Sequence, residues 1–326
     1  MAKTKKPKRS KPEKVVIQAA IQLAQESAKA TLKQRKKALD GRAKTVRKNQ
    51  GSAARARAAT PLLAARFREA AGPTAADRWL VAEGDSWFDY PRRDVLKILQ
   101  DKYGYEVERV SHKGDRVEEM AYGEGQLEEF CRAVEKLIRN GHVPRAILLS
   151  GGGNDITGEA LAMLLNHARS PISGLSESVM RGVVDERMFL SYVTIITKVT
   201  SVCEAKLGRK LPLLVHGYGY PVPDGRGFAG GWWLLPGPWL KPGFDQKGFA
   251  DLAANTKTMR VLIDRFNTML ASLSQLNGLE HVRYVDLRKC LTAGNGEKSD
   301  WANELHPNEE GFKKVVAEFE QVLSRL

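Results

Sequence analysis

The stretch Val81-Ala82-Glu83-Gly84-Asp85-Ser86-Trp87-Phe88 decides how the rest of the chain is interpreted. It completes an apolar run from Trp79 to Ala82, which predicts a buried strand, and then breaks into Gly84-Asp85-Ser86. A serine just past a strand end, with a glycine two residues before it, suits a tight turn that presents its hydroxyl at the edge of a sheet. Gly, Asp and Ser are also common turn residues, so the tripeptide alone does not separate a nucleophile from an ordinary turn.

The composition separates a basic N-terminal segment from an electrically ordinary remainder. The chain has 326 residues, is 42% hydrophobic and carries a formal net charge of +14. Residues 1–60 hold 18 Lys and Arg against 3 Asp and Glu, so the other 266 residues hold 34 basic and 35 acidic side chains. The positive charge therefore belongs to the N-terminal segment, and the rest is long enough for one large domain.

The cysteines and the apolar runs set the expected environment. Cys131, Cys203 and Cys290 lie far apart with no CxxC spacing, which argues against a zinc site and a disulfide framework and suits a reducing compartment. No apolar run approaches the roughly 20 residues that a membrane span needs, and no apolar segment follows the basic N-terminus as in a secretory signal. We expect a cytoplasmic protein without a transmembrane segment.

Residues 1–59 are predicted to form a basic, partly helical or disordered tail. Residues 1–13 are charged and contain proline, which indicates disorder. From Val15 to Leu39 apolar residues recur at helical spacing among Lys and Arg, which predicts an amphipathic basic helix, and residues 40–59 suit a linker. Residues 1–60 would then contact nucleic acid, an anionic surface or an acidic partner, or they would only keep the chain in solution.

Apolar runs alternate with helical patterns over residues 60–326. The strands are predicted at 79–83, 105–110, 145–150, 211–216 and 281–286, and the helices at 93–102, 117–139, 158–168, 187–207, 255–275 and 308–325. Strands separated by amphipathic helices imply right-handed crossovers and a parallel sheet covered on both faces. We predict a three-layer α/β domain with a central parallel sheet of about five strands, which binds its ligand at the carboxyl ends of the strands.

The loops after the predicted strands carry the groups that acyl transfer requires. They contain Gly84-Asp85-Ser86, then Ser111 to Asp115, then Gly151-Gly152-Gly153-Asn154-Asp155, and Asp300 to Pro307 precedes the last helix. Ser86 Oγ would attack a carbonyl carbon, and His306 would take its proton. The developing oxyanion needs donors fixed in advance, which the backbone N–H groups of Ser86 and Gly114 and the Asn154 amide would supply.

These blocks resemble the SGNH/GDSL hydrolases. Gly84-Asp85-Ser86, Gly114, Gly152-Gly153-Asn154-Asp155 and His306-Pro307 stand in that family's order and approximate spacing, from about residue 79 to the C-terminus. The resemblance implies a flavodoxin-like α/β/α fold, no metal or organic cofactor, and hydrolysis of an ester or related acyl bond. By matching position it makes Ser86 the nucleophile, Gly114 and Asn154 oxyanion donors, and His306 the base.

The chain departs from the family at the third catalytic position. The family usually has an aspartate three residues before the histidine, where this chain has Asn303. An amide orients an imidazole but does not balance the charge of an imidazolium, and a similar change costs serine proteases about 10⁴ in turnover. Three interpretations stay open: Asp300 supports His306, Asn303 orients it in a less demanding dyad, or the enzyme is slow or specialised.

A long aromatic connection, residues 217–250, is the remaining feature with functional potential. It contains Trp232, Trp233 and Trp239 among several prolines and has little periodicity. Such a segment suits a lid or a wall that packs on an acyl chain or a sugar, or it folds over its own apolar cluster. Trp87 and His216 are further candidates to line the site.

The sequence thus predicts an esterase acting on a small-molecule, glycan or lipid ester. Two alternatives come from other classes of function. One is a catalytically lapsed binding protein that keeps the fold, which Asn303 makes plausible. The other is a nucleic-acid-associated or anionic-surface-associated protein that works through its basic tail.

Overall fold

The computed structural model describes residues 14–50, 78–230, 236–292 and 300–326, without the side chains of residues 45–50. The predictions made for residues 1–13, for residues 51–59 of the linker, and for Trp232 and Trp233 lie outside the described residues.

Five parallel strands form the central sheet, and two short strands pair as a separate antiparallel hairpin. In chain order the strands are β1 Trp79–Glu83, β2 Glu106–Arg109, β3 Ala146–Leu149, β4 Leu165–Asn166, β5 Gly174–Leu175, β6 Leu213–His216 and β7 Val282–Val285. The sheet runs β2-β1-β3-β6-β7, with β4 and β5 forming the hairpin. Each of the five sheet strands is near its predicted position. After β2 the chain crosses to the other side of β1 and adds β3, β6 and β7 there, as in flavodoxin-like doubly wound folds.

Helices flank this sheet and complete the predicted α/β class. They are α1 Lys14–Gln50, α2 Val95–Tyr103, α3 Val117–Tyr122, α4 Gln126–Arg139, α5 Glu159–Leu164, α6 Glu177–Leu207, α7 Lys241–Gln246, α8 Leu252–Ala271 and α9 Glu309–Leu323. The helix predicted at 117–139 is divided, because Gly125 adopts a positive φ of 85° just before α4. The helix predicted at 187–207 begins ten residues earlier, at Glu177, and includes a π-helical stretch, Arg181–Met188.

Helix α6 contains a long apolar window. By length and composition alone it is long and apolar enough to cross a membrane, and it is the one described helix that meets this test. In the structure 72% of its most apolar window is buried, and it packs against α1, α3 and α4. Its apolar character therefore serves the interior of the domain.

Helix α1 confirms the predicted basic helix and extends it. The helix continues to Gln50, into the segment that the sequence suggested as a linker. It packs along α6 with the buried side chains of Ile17, Ala24 and Ala28. Arg35 ties α1 to the neighbouring helix α4 by an ion pair with Glu135 and a 2.8 Å hydrogen bond to the carbonyl oxygen of Glu128.

Candidate active site

The turn that carries Ser86 is held by the buried side chain of Asp85, which is 2% exposed. Asp85 Oδ1 accepts hydrogen bonds from the backbone N–H of Trp87 at 3.0 Å and from Ser150 Oγ at 2.8 Å. Its other oxygen accepts from Tyr218 Oη at 2.5 Å. The carboxylate thus ties the turn after β1 to the residues that follow β3 and β6.

Gly84 is required by the close approach of the ends of β1 and β3. A Cβ atom at this position would lie 2.5 Å from Ser150 Cβ and 2.8 Å from the Ser150 carbonyl oxygen. Because the Ser150 carbonyl oxygen belongs to the backbone, rotation of a side chain would not relieve this clash. The glycine of the Gly-Asp-Ser block therefore sets where Ser86 stands.

The nucleophile candidate and the base candidate meet directly. Ser86 Oγ lies 2.7 Å from His306 Nε2, although the two residues are 220 positions apart in the chain. His306 is fixed on the segment before α9, where its carbonyl oxygen accepts from the N–H of Ala302 at 2.9 Å. A bridge between Trp301 and Pro307 closes the same segment.

Asn303 determines which nitrogen of His306 carries the proton. Its Oδ1 accepts from the backbone N–H groups of Leu305 and His306, each at 2.9 Å, and lies 3.1 Å from His306 Nδ1. Its amide nitrogen donates to Tyr90 Oη at 3.2 Å. Since Oδ1 can only accept, Nδ1 is the protonated nitrogen of the neutral imidazole and Nε2 presents a lone pair to Ser86.

Asp300 has other partners than His306. Its carboxylate forms an ion pair with Lys314 at 2.7 Å and accepts from the backbone N–H of Thr292 at 2.6 Å. Burial alone would raise the pKa of Asp300, but the Lys314 ammonium and the Thr292 N–H together hold it below its usual value. Of the two candidates left open for the third position, the structure places Asn303 on His306.

Burial keeps the His306 imidazole neutral. The residue is 6% exposed, and loss of solvation lowers its pKa to about 3. The Tyr90 ring stacks on the imidazole with 4.3 Å between ring centroids, and the Trp239 ring meets it edge-on at 5.6 Å. The environment favours the neutral, proton-accepting form and opposes the imidazolium that proton transfer would create.

The two other oxyanion-donor candidates differ in their placement. Asn154 lies in the same pocket as Ser86 and His306, and one N–H of its amide donates to the carbonyl oxygen of Asp115 at 2.9 Å. The amide nitrogen has two hydrogens, so one is left for a ligand. Gly114 has a φ of 93°, lies exposed in the loop after β2, and is outside the described lining of that pocket.

The pocket beside Ser86 opens to solvent and encloses a volume of about 40 Å³. Its polar wall includes Ser86, Asn154 and His306, and Trp87 also lines it. The other wall is mainly apolar and includes Ile156, Leu240, Met259, Ile263 and Leu305. The arrangement suits an apolar group attached to a carbonyl that lies against Ser86 Oγ.

His216 does not line the site as the sequence suggested. It is the last residue of β6, is fully buried, and contacts Ser150 Oγ and the carbonyl oxygen of Gly217, each at 2.8 Å. His216 is still part of β6, so its side chain projects from a face of the sheet and is buried there. Only the residues after β6 lie at the edge of the sheet where the pocket is.

Three contributors to the site had no place in the sequence prediction: Tyr90, Tyr218 and Glu304. Tyr218 follows the predicted strand 211–216, so its position at the sheet edge was a signal that could have found it. Tyr90 lies four residues after Ser86, and Glu304 lies inside the block that contains His306. Proximity to a motif was their only signal.

The fold and the site together define a doubly wound α/β protein in which a serine and a histidine meet at the carboxyl edge of the sheet. The chain is similar to several solved structures, each at low identity. An aryl esterase from M. Smegmatis shares 12% identity at a TM-score of 0.43, covering 76% of this chain and 100% of that one. A carbohydrate acetylesterase family member from Sinorhizobium meliloti shares 13% at 0.42, with 76% and 98% covered.

A family 3 carbohydrate esterase from Clostridium thermocellum shares 14% identity at a TM-score of 0.39, covering 76% of this chain and 97% of that one. No family model and no curated protein matches the sequence. Likenesses this remote carry no conclusion about activity, which rests on the residues of this chain.

Proposed function

We propose that this protein is a serine esterase that forms an acyl-enzyme on Ser86. The observation that carries the proposal is the 2.7 Å contact between Ser86 Oγ and His306 Nε2, together with the 3.1 Å contact from His306 Nδ1 to Asn303 Oδ1. A nucleophile, a base in the correct tautomer and a residue that orients the base are the parts of a serine hydrolase site.

The first half of the reaction transfers the acyl group to the enzyme. Ser86 Oγ attacks the ester carbonyl carbon while its proton moves to His306 Nε2. The Asn154 amide and the backbone N–H of Ser86 stabilise the oxyanion, and Gly114 would join them if its loop moved toward the pocket. The tetrahedral intermediate then breaks its bond to the leaving oxygen, which takes the proton from His306 and departs as an alcohol.

The second half returns the enzyme to its starting state. Water attacks the acyl carbon, His306 takes one water proton, and the bond to Ser86 Oγ breaks as that oxygen recovers a proton from His306. A carboxylic acid leaves, and atoms and protons balance without a cofactor. The apolar wall of the pocket would hold the acyl group of a small-molecule, glycan or lipid ester.

The test compares wild type with Ser86→Ala on p-nitrophenyl acetate, butyrate and octanoate. We expect turnover that falls at least about 10³-fold in the variant, and covalent labelling of Ser86 by a serine-directed phosphonate. Cys290→Ser serves as a matched control that removes a nucleophilic side chain outside the pocket. Turnover that persists in Ser86→Ala would refute the proposal.

A catalytically lapsed binding protein is the competing function. It is favoured by the absence of a carboxylate contact to His306 among the described residues, since an amide does not compensate the imidazolium. Wild-type protein with neither turnover nor phosphonate labelling, but with ester analogues bound in the pocket, would establish this alternative.

We further propose that the basic N-terminal segment contacts nucleic acid or another anionic surface. The observation in its favour is that residues 36–44 of α1 are all exposed and include Lys36, Lys37, Arg42 and Lys44. Replacing these four with Gln should weaken binding to duplex DNA and reduce its dependence on salt. Binding that is unchanged in this variant would refute the proposal.

A further inference from the structure

Glu304 is a buried carboxylate with an unusual set of partners. It is 0% exposed and lies between Asn303 and His306 in the chain. Its two oxygens accept four backbone N–H groups, from Gly225 at 2.9 Å, Trp239 at 2.6 Å, Leu240 at 2.7 Å and Lys241 at 3.0 Å. All four donors belong to the aromatic connection of residues 217–250.

No cation compensates this carboxylate among the described residues. Two basic residues of the connection pair with other carboxylates, Lys241 with Asp245 and Arg226 with Asp224. Burial raises the pKa of Glu304, and the four N–H groups oppose part of that rise. Since a buried charge without partners is strongly unfavourable, the connection cannot leave Glu304 without exposing the carboxylate to water or leaving it unpaired.

Two further contacts tie the same segments together. The backbone N–H of Glu304 donates to the carbonyl oxygen of Arg226 at 3.2 Å, and the Arg226 guanidinium donates to the carbonyl oxygen of Trp301 at 3.0 Å. The connection is therefore attached to the segment that carries His306 in both of its described parts, residues 217–230 and 236–250. These contacts favour a wall over a lid for the described parts of the connection.

The residues that Glu304 holds are those that border the reacting groups. The Trp239 ring meets the His306 imidazole edge-on at 5.6 Å. Leu240 is fully buried and lines the same pocket as Ser86 and Leu305. A displacement of the chain at 239–241 would change both the cover over the base and the width of the pocket.

We propose that Glu304 is a positioning residue that fixes the Trp239–Leu240 wall of the pocket and thereby sets the size of the acyl group that reaches Ser86. The inference rests on the esterase function proposed above, because it assigns the apolar wall to the acyl group. It predicts that Glu304 affects selectivity between acyl groups without taking part in proton transfer.

The test uses Glu304→Gln, which keeps the size of the side chain but turns an N–H₂ group toward two of the four donors. Hydrogen exchange at the amides of residues 225 and 239–241 should accelerate about tenfold or more, because a buried hydrogen bond to a charged group is lost. The kcat/KM ratio of octanoate to acetate ester should rise about tenfold, mainly through KM. Asp185→Asn is the matched control, since it removes a half-buried carboxylate that pairs with Arg265 outside the pocket lining.

The control should reduce thermal stability while leaving both the four amides and the ester preference as in wild type. Protected amides in Glu304→Gln, or an unchanged ester preference, would overturn the inference. The inference would also be overturned if Asp185→Asn lost amide protection and changed its ester preference as much as Glu304→Gln, because both effects would then reflect general destabilisation. A wild-type protein without Ser86-dependent turnover would refute the esterase function itself, whereas amide protection still reports on the Glu304 contacts.

Discussion

Asn303 Oδ1 lies 3.1 Å from His306 Nδ1, at the position where the sequence resemblance would put an aspartate carboxylate. The same oxygen accepts the backbone N–H groups of Leu305 and His306. The amide therefore orients the ring as an aspartate would, but it adds no negative charge beside an imidazole that burial already keeps neutral. Asn303 therefore orients the His306 ring, but it supplies no negative charge to stabilise the imidazolium.

Replacing Asn303 with Asp should raise the turnover number of the esterase. A carboxylate at this position keeps the acceptor for Nδ1–H and the backbone N–H groups, and Tyr90 Oη can donate to it. The added charge stabilises the imidazolium in the transition state, so we expect kcat to increase about tenfold or more, with about 10⁴ as the upper bound from serine proteases. Steady-state kinetics on p-nitrophenyl butyrate measures this effect, and an unchanged or lower kcat would contradict it.

Asp300→Ala tests the other candidate for the third position. Its carboxylate pairs with Lys314 and not with His306, so we expect kcat within about threefold of wild type. The Thr292 N–H would lose its acceptor, so we expect a loss of about 1–3 kcal/mol in the free energy of unfolding. The companion variant Asn303→Ala should reduce kcat much more. A large loss of turnover in Asp300→Ala alone would assign the supporting role to Asp300.

The pH profile should extend unusually far into the acid range. The general base is active when neutral, and burial lowers the pKa of His306 to about 3. The neutral form therefore predominates above that value, whereas a histidine with the ordinary pKa of about 6.5 would be mostly protonated at pH 5. We expect kcat/KM at pH 5 to lie within about twofold of its value at pH 7, measured by chromatography of the released alcohol.

The Asn303→Asp variant provides the internal comparison for this profile. A carboxylate beside Nδ1 favours the protonated ring and raises the pKa of His306. The acid limb of its profile should therefore move to higher pH than in wild type. Two profiles with the same acid limb near pH 6.5 would show that burial does not control the base.

Asn154→Ala should slow the chemical step while leaving substrate binding nearly intact. The amide would contact the oxygen only when it becomes an oxyanion, so we expect kcat to fall about 10²–10³-fold with a small change in KM. Asn166→Ala is the matched control, because its amide donates to the Ile172 carbonyl oxygen in the β4–β5 hairpin. A loss confined to KM would place Asn154 in ground-state binding instead.

Gly84→Ala should displace the nucleophile. The new Cβ atom would lie 2.5 Å from Ser150 Cβ and 2.8 Å from a backbone oxygen, so the turn must move or the strand ends must separate. We expect a loss of about 1–3 kcal/mol in the free energy of unfolding and a fall in kcat. Gly182→Ala, in α6 with no neighbouring atom within 4 Å of the added Cβ, should match wild type in both thermal melting and turnover.

The sequence predicted the sheet and its edge because both follow from local patterns. Apolar runs marked the five strands, and parallel strands bring their carboxyl ends together, so Ser86, Asn154 and His306 converge as expected. His216 was a candidate to line the pocket because it ends a predicted strand, but in the structure its side chain is buried against Ser150. Successive side chains of a strand point to opposite faces of the sheet, so the sequence did not decide whether His216 would face the pocket or the interior.

The contacts of the aromatic connection had no local pattern to reveal them. Glu304 accepts hydrogen bonds from backbone groups more than sixty residues away, and backbone N–H groups are the same in every residue but proline.

The burial of α1 was hidden for a different reason. Its buried positions are few and small, Ala24 and Ala28 among them, and the surrounding lysines dominated the interpretation of the segment.

The packing of α1 along α6 has a consequence for how the protein is made. The ribosome synthesises α1 well before α6, the described helix whose composition most resembles a membrane span. The cover for this apolar helix is therefore already available when the helix leaves the ribosome, at the stage where exposed apolar surface promotes aggregation. Deleting residues 14–35 should accordingly move the protein into inclusion bodies, whereas the charge-neutralised Lys36–Lys44 variant should accumulate as native protein.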